Sequence, residues 1–226
     1  MNDSLVGKNV VLVLTNGLTI TASSKVNAVT ITGSVAYGGS KSAGVGISTV
    51  VNNTKVAAGL GDSSNVSAGG DVTVGADSEM DLVSVLVAAG ISSARGTTGG
   101  KQAAGEGVIS VFVNGNETTA SIGKNVTIHT SGDVIVTASS KLGYTGVVGG
   151  LAVSGGHGVG ASVSVVVING KTLAEIGNGA NITARNLTVS ADAKENIVAV
   201  IVNGAAATGN NGVAVAVSPA VNVIKS

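Results

Sequence analysis

A chain of 226 residues has the length to bury a core, but one phenylalanine, two tyrosines and no tryptophan cannot fill an ordinary globular one. Its 12 basic and 12 acidic side chains balance, which excludes the electrostatic footprint of a nucleic-acid binder or of a protein held on an acidic membrane. Cysteine is absent, which excludes disulfides and thiolate metal sites, and a hydrophobic content of 44% is too high for a disordered chain.

In chain order, Met1-Asn2-Asp3-Ser4 lacks the basic and apolar regions of a signal peptide, so Met1 is read as the start of a piece of a longer chain. The first marked strand is Gly17-Leu18-Thr19-Ile20, closed by Thr21-Ala22-Ser23. The same device returns as Asp71 to Asp77, Asp133 to Ser139 and Asn186 to Asp192, and its alanines (Ala22, Ala76, Ala138, Ala191) lie 54, 62 and 53 residues apart. A second marker, an Asn closing a longer apolar strand, recurs at Asn52, Asn114, Asn169 and Asn222 with spacings of 62, 55 and 53. A near-fixed period of this kind is the signature of a solenoid, whose units bury their apolar faces only against their neighbours.

The second unit is longer than the others by about eight residues between Ala76 and Asn114, and the polar, glycine-rich stretch from Ala94 to Gln102 is where loop chemistry concentrates. Insertions in solenoids go to loops, because stacked strands cannot change length without losing register. Arg95, Thr97, Thr98, Lys101 and Gln102 are therefore the candidate contact residues. Farther along, each unit has a regular part of some 22 residues, such as Ala120-Ser121-Ile122-Gly123, Asn125-Val126-Thr127 and Asp133-Val134-Ile135-Val136. Its counterpart runs Ala174 to Gly177, Asn181 to Thr183 and Asn186 to Val189. Three short strands in that length match one turn of a parallel β-helix with Ile122, Val126, Val134, Ile176, Ile182 and Leu187 inward. The remaining residues, about 30, read as two longer strands forming a second, wider turn. Val163, Val165 and Val167 alternate with Ser162, Ser164 and Val166, and Ile197 to Val202 is a continuous apolar run, both strand patterns. The expected fold is all-β, a parallel β-helix of about eight coils on the order of 40 Å long at about 4.8 Å per stacked strand. No apolar run reaches the roughly 18 residues of a membrane helix.

The ordered pattern Ala-x-Ile-Gly, Asn-Val-Thr, Gly-Asp-Val-x-Val-x-Ala and then glycine-rich alternation ending Val-x-Asn resembles the repeats of leukotoxin-type (fusobacterial-like) filamentous adhesins. These are exoproteins of Gram-negative anaerobes exported by two-partner secretion. The resemblance covers about Asn9 to Ser226. It implies a right-handed helical shaft, with residues 1–226 forming a single repeat segment inside a longer exoprotein that is secreted or surface-held. It also implies attachment to or injury of host cells through a surface protein or glycan, and export of the full-length protein by a dedicated outer-membrane transporter. Neighbouring repeats of the same chain would be its other partners, with no nucleic acid and no membrane insertion.

Catalytic readings are weak. His129 reads as an exposed strand residue and His157 as an exposed turn residue, with no cysteine nucleophile to serve them. Asn169-Gly170-Lys171-Thr172 resembles the end of a phosphate-binding loop, but the required glycine five residues before Gly170 is Val165. Asp71 and Asp133 align with Asn186 and Gly17, a turn preference rather than an acid-base pair. The run Asp77-Ser78-Glu79-Met80-Asp81 reads as a solvated loop, since the calcium-binding nonapeptide repeat is missing. Sequons such as Asn65-Val66-Ser67, Asn116-Glu117-Thr118 and Asn125-Val126-Thr127 read as Asn at turns and Ser or Thr on strands. Neither a catalytic residue nor a cofactor is expected. The alternatives are a β-helical polysaccharide-active enzyme, which would need aromatic platforms, and an ice-binding solenoid. The latter's threonine rank breaks at Gly75 and Ile135, opposite Thr21 and Thr19. An outer-membrane barrel would need aromatic girdles that three aromatics cannot supply.

Overall fold

The computed structural model describes residues 1–93, 102–209 and 211–225. The first coil contains β1 (Asn2–Val6), β2 (Val11–Leu14), β3 (Leu18–Gly38) and β4 (Lys41–Asn52). The second contains β5 (Lys55–Leu60), β6 (Asn65–Ala68), β7 (Val72–Ser92) and β8 (Ala103–Asn114). The third contains β9 (Glu117–Ile122), β10 (Thr127–Thr130), β11 (Val134–Ser154) and β12 (His157–Asn169). The fourth contains β13 (Lys171–Ile176), β14 (Asn181–Thr183), β15 (Leu187–Ala207), β16 (Val213–Val217) and β17 (Ala220–Lys225). The fold is all-β, and every pairing is parallel, each strand lying beside its counterpart one repeat away.

Four sheets result. Sheet A stacks β1, β5, β9 and β13; sheet B stacks β2, β6, β10 and β14; sheet C stacks β3, β7, β11 and β15. Sheet D stacks β4, β8 and β12, with β16 and β17 both on β12. The alanine marker is a true register mark, for Ala22, Ala76, Ala138 and Ala191 sit side by side.

One expectation is corrected here. A repeat closes one circuit and not two, so the described chain has four coils where about eight are expected. Four strands stacked at about 4.8 Å give a sheet on the order of 20 Å tall. The physical reason lies in β3 and its counterparts. Each runs straight on for 21 residues instead of turning back. In the first three coils a 12- or 13-residue strand returns along its face, a return made in the fourth by β16 and β17. The second half of the repeat is therefore an extension of the first half's turn. The cross-section is a three-sided prism with a two-sided fin.

The prism is enclosed by sheets A and B and the first residues of sheet C. Its interior is continuous and largely apolar, with Val56, Val66, Val72, Val74, Ile122, Val126 and Val134 all at most 1% exposed, although Thr118, opposite Val56, buries a hydroxyl without a partner there. Ile122, Val126 and Val134 are the inward residues that the sequence predicts. Ile176 and Ile182 pack against the cluster from the last coil, partly buried, and Leu187, aligned with Val134, is half exposed. Every coil takes the corner between sheets A and B in the left-handed region, at Asn9 (φ 57°), Ser63 (φ 58°), Asn125 (φ 54°) and Gly179 (φ 77°). Asn and Gly accept that conformation most readily, which accounts for Asn125. Its expected counterpart Asn181 instead opens β14 opposite Thr127, so the two Asn-x-Thr copies are two residues out of register, a correction to the sequence alignment.

The fin is sheet C beyond Ala22, Ala76 and Ala138, facing sheet D. Near the prism it is filled by Met80, Leu82, Leu142, Phe112, Tyr144, Val166 and Ile168, with the rings of Phe112 and Tyr144 stacked at 4.4 Å and 3°. Farther out Leu86, Ala88, Val108 and Val148 form a small apolar cluster, with Ile201 packed against it. The remaining inward positions are small or polar, such as the row Ser48, Ser110 and Ser164. Here the alternation inverts, since Ser162, Ser164 and Val166 point inward while Val163, Val165 and Val167 face out.

The asparagine marker is a second correction. Asn52 and Asn114 align, but Ile168, not Asn169, occupies the next place, and Asn222 aligns with Val166. A one-residue offset sends a side chain to the other face of a strand. Asn114 is accordingly 2% exposed and Asn169 is exposed.

Candidate functional site

The register places Ser93 and Gln102, which bracket the extra residues of the second coil, at the outer end of the fin. Residues 39–40 and 155–156 join the long strands in the first and third coils, whereas residues 93–102 do so in the second. Arg95, Thr97, Thr98 and Lys101 lie outside the described residues. Gln102 is described, and its carbonyl accepts a hydrogen bond from the His157 N–H (2.9 Å) in the third coil. A side chain on Gly156 would run into the Gln102 backbone, so the third coil needs glycine beneath it. At the other foot Ser93 donates its N–H to the Gly38 carbonyl (3.1 Å), and its hydroxyl meets the Tyr37 hydroxyl (2.5 Å). Both ends of the insertion are thus fastened to neighbouring coils.

Charged side chains form short ladders across the coils. Glu79 receives Lys25 (2.7 Å) and Lys141 (3.0 Å) from the coils on either side. Glu117 does the same with Lys55 (3.0 Å) and Lys171 (3.5 Å) on sheet A. Hydrogen bonds from the flanking lysines, Lys25 and Lys55 first, hold these two carboxyls below the usual range. The acidic run expected as a loop is instead the middle of β7, where Asp77, Glu79 and Asp81 take outward positions and Ser78 and Met80 inward ones. His157 likewise opens β12 rather than lying in a turn.

The aligned turn residues also carry more than turn geometry. Asp71 accepts the Asp133 N–H (2.8 Å) on one carboxylate oxygen, and Asp133 accepts Arg185 Nε (2.9 Å) and Asn186 Nδ2 (2.9 Å). Lys8 pairs with Asp62 (2.8 Å), whose second oxygen takes the Lys124 N–H (2.9 Å). Each carboxylate ties one coil to the next. Their partners are neighbouring rungs, so their chemistry is spent on stacking.

Two buried polar groupings were not foreseen. At the junction of prism and fin, Asn52 donates from Nδ2 to Asn116 Oδ1 (2.6 Å) and Asn114 Oδ1 (3.0 Å), beside a cavity of about 150 Å³. Asn114, Asn116, Thr172 and Glu195 line it. Glu195 stands at the end of the inward row Val26, Met80, Leu142, a substitution visible in the sequence once the register is known. The second is Glu106 in the fin, 5% exposed with both oxygens lacking a hydrogen-bond partner. Burial pushes its carboxyl above the ordinary 4.5. Side chains on Gly150 or Gly160 would collide with it, so these glycines form its cradle.

No cluster of three or more His, Asp or Glu able to hold a metal occurs among the described residues. His129 and His157 are both exposed, on sheets B and D. No helix of the described residues is long and apolar enough to cross a membrane. The chain matches no protein-family model, no curated protein and no solved structure at a significant level.

Proposed function

We propose that this chain is a structural and adhesive shaft segment of a secreted or surface-held filamentous adhesin or leukotoxin-like exoprotein, not an enzyme. The observation that carries this reading is the stacking itself. One repeat makes one coil, and the surface carboxylates Asp62, Asp71, Glu79, Glu117 and Asp133 are taken up by lysine, arginine, asparagine and backbone partners on adjacent coils. A right-handed coil, as in the family that the repeat pattern resembles, is part of the proposal. The insertion between Ser93 and Gln102 is the proposed point of contact with a host-cell surface protein or glycan through Arg95, Thr97, Thr98, Lys101 and Gln102.

Incubating the purified chain with host cells, and separately with a panel of polysaccharides, tests the reading. Saturable cell binding that is lost when residues 95–101 are removed is the expected result. Turnover of any glycan would overturn it, and so would cell binding that is indifferent to the insertion, since the contact would then lie elsewhere.

A further inference from the structure

The outer face of sheet C along the fin is apolar to a degree that solvent-facing sheets avoid. Five consecutive outward columns, from that of Val29 to that of Tyr37, cross all four coils. They consist of the alternate residues of 29–37, 83–91, 145–153 and 198–206. No charged residue occurs among them, and Thr145 and Tyr37 supply the only polar side-chain atoms. Ile31 is 77% exposed, Val87 48% and Leu151 46%. The charged ladder of Lys25, Glu79 and Lys141 stops short of this field on the prism side.

With strands about 4.8 Å apart and outward residues about 6.6 Å apart, the field covers roughly 600 Å² in projection. The largest apolar patch on an ordinary monomer is about 300–600 Å² of accessible surface. A standard interface takes about 800 Å² from each partner, so this face is close to a full half-interface.

We infer that this face is an association surface whose occupant is the same face of a second copy of the chain. A partner bearing charges would leave them buried against a field with no counter-charge, at considerable cost. A second copy brings no charge to the contact. It also offers β-branched rows at the same spacing, able to pack face to face at about 10 Å as two aligned sheets do. An isologous contact of this kind closes as a dimer. The inference does not depend on the adhesin reading.

Sedimentation of the purified chain over a range of concentrations tests it, with circular dichroism confirming that each variant keeps its strand content. Val87→Lys and Leu151→Lys each place a charge at the centre of the face, pointing outward, and should weaken dimerisation by at least about tenfold. Ile109→Lys, on the outer face of sheet D, should leave it unchanged. A chain that stays monomeric throughout would overturn the inference. So would association insensitive to Val87→Lys and Leu151→Lys, which would indicate contact through coil ends, or association abolished only by Ile109→Lys. A monomer that binds phosphatidylcholine vesicles, and loses them with Val87→Lys, would replace the second copy with a lipid surface.

Discussion

Sheet C runs without a break through prism and fin, yet the two regions bury their side chains in opposite ways. In the prism Val72, Val74 and Val134 point inward while Thr73, Gly75 and Ile135 lie outside. In the outer fin, Thr30, Ser34 and Ser42 put hydroxyls inside without partners, and valine and isoleucine stand outside. The difference is one of thickness. Three sheets around an axis leave room for branched side chains, and the inner fin keeps enough space for Phe112 and Tyr144, whereas in the outer fin the two sheets close until one backbone meets another. At Gly90 an added Cβ would strike the backbone of Gly105, and at Gly44 that of Ala89. Small residues at these outer-fin positions are thus required by the geometry, and the bulk is displaced to the outer faces. Inside and outside are therefore properties of the gap between sheets rather than of residue type.

The sharpest way to break this comparison is a charge in the prism. Val134→Asp puts a carboxyl at a position with no exposure and only apolar rows around it, and should cost about 4 kcal/mol or more in denaturant unfolding. A loss confined to the level of a surface substitution would mean that the prism is not a dry core. Next in size is Gly90→Ala, which widens the fin against a backbone that cannot give way. We expect about 1–3 kcal/mol of destabilisation, where an exposed glycine-to-alanine change in a strand would be neutral or favourable. A neutral result would show that the two sheets are not in backbone contact.

Glu106 sharpens the comparison through pH. Its carboxyl titrates above 4.5 in the folded chain, so the fold binds this proton more tightly than the unfolded chain does. The stability it contributes is present below the unfolded value and is lost as pH rises through the folded one. Glu106→Gln should therefore gain on the parent as pH is raised from about 4.5, by at most about 1.4 kcal/mol per pH unit within the window. Parallel melting profiles would place Glu106 in water. The smallest effect is expected from replacing residues 93–102 with Gly-Gly, the connection of the third coil. Shortening the loop changes closure entropy by only about 1 kcal/mol, so the melting temperature should barely move.

Much of this was legible in the sequence. The period, the parallel stacking, the alanine register and the inward Ile122, Val126 and Val134 follow from repetition alone. The coil count did not, because nothing in the segment from Ser139 to Asn169 says whether two long strands close a turn of their own or extend the previous one. The fin's inversion was hidden for a related reason. Val163 and Ser164 alternate cleanly, but alternation does not reveal which set faces a space too narrow for valine. Asn169 misled because it keeps the motif while its register slips by one residue. The Asp77 to Asp81 run read as a loop because its charges are conspicuous, whereas its period of two puts Ser78 and Met80 inside a strand. The candidate contact residues were legible as an insertion, and the register then fixed its two feet, at Ser93 and Gln102.

Because each strand's hydrogen-bonded partner lies 53 residues or more away, no hairpin or local pair can form first. The first two coils must meet by closing a long loop before any ladder rewards them, which is slow. Every later coil finds a finished edge waiting and needs only to lie down along it. Folding should thus have a lag followed by growth, with each rung cast on the one before, and emergence of the chain from one end would turn that growth into a direction.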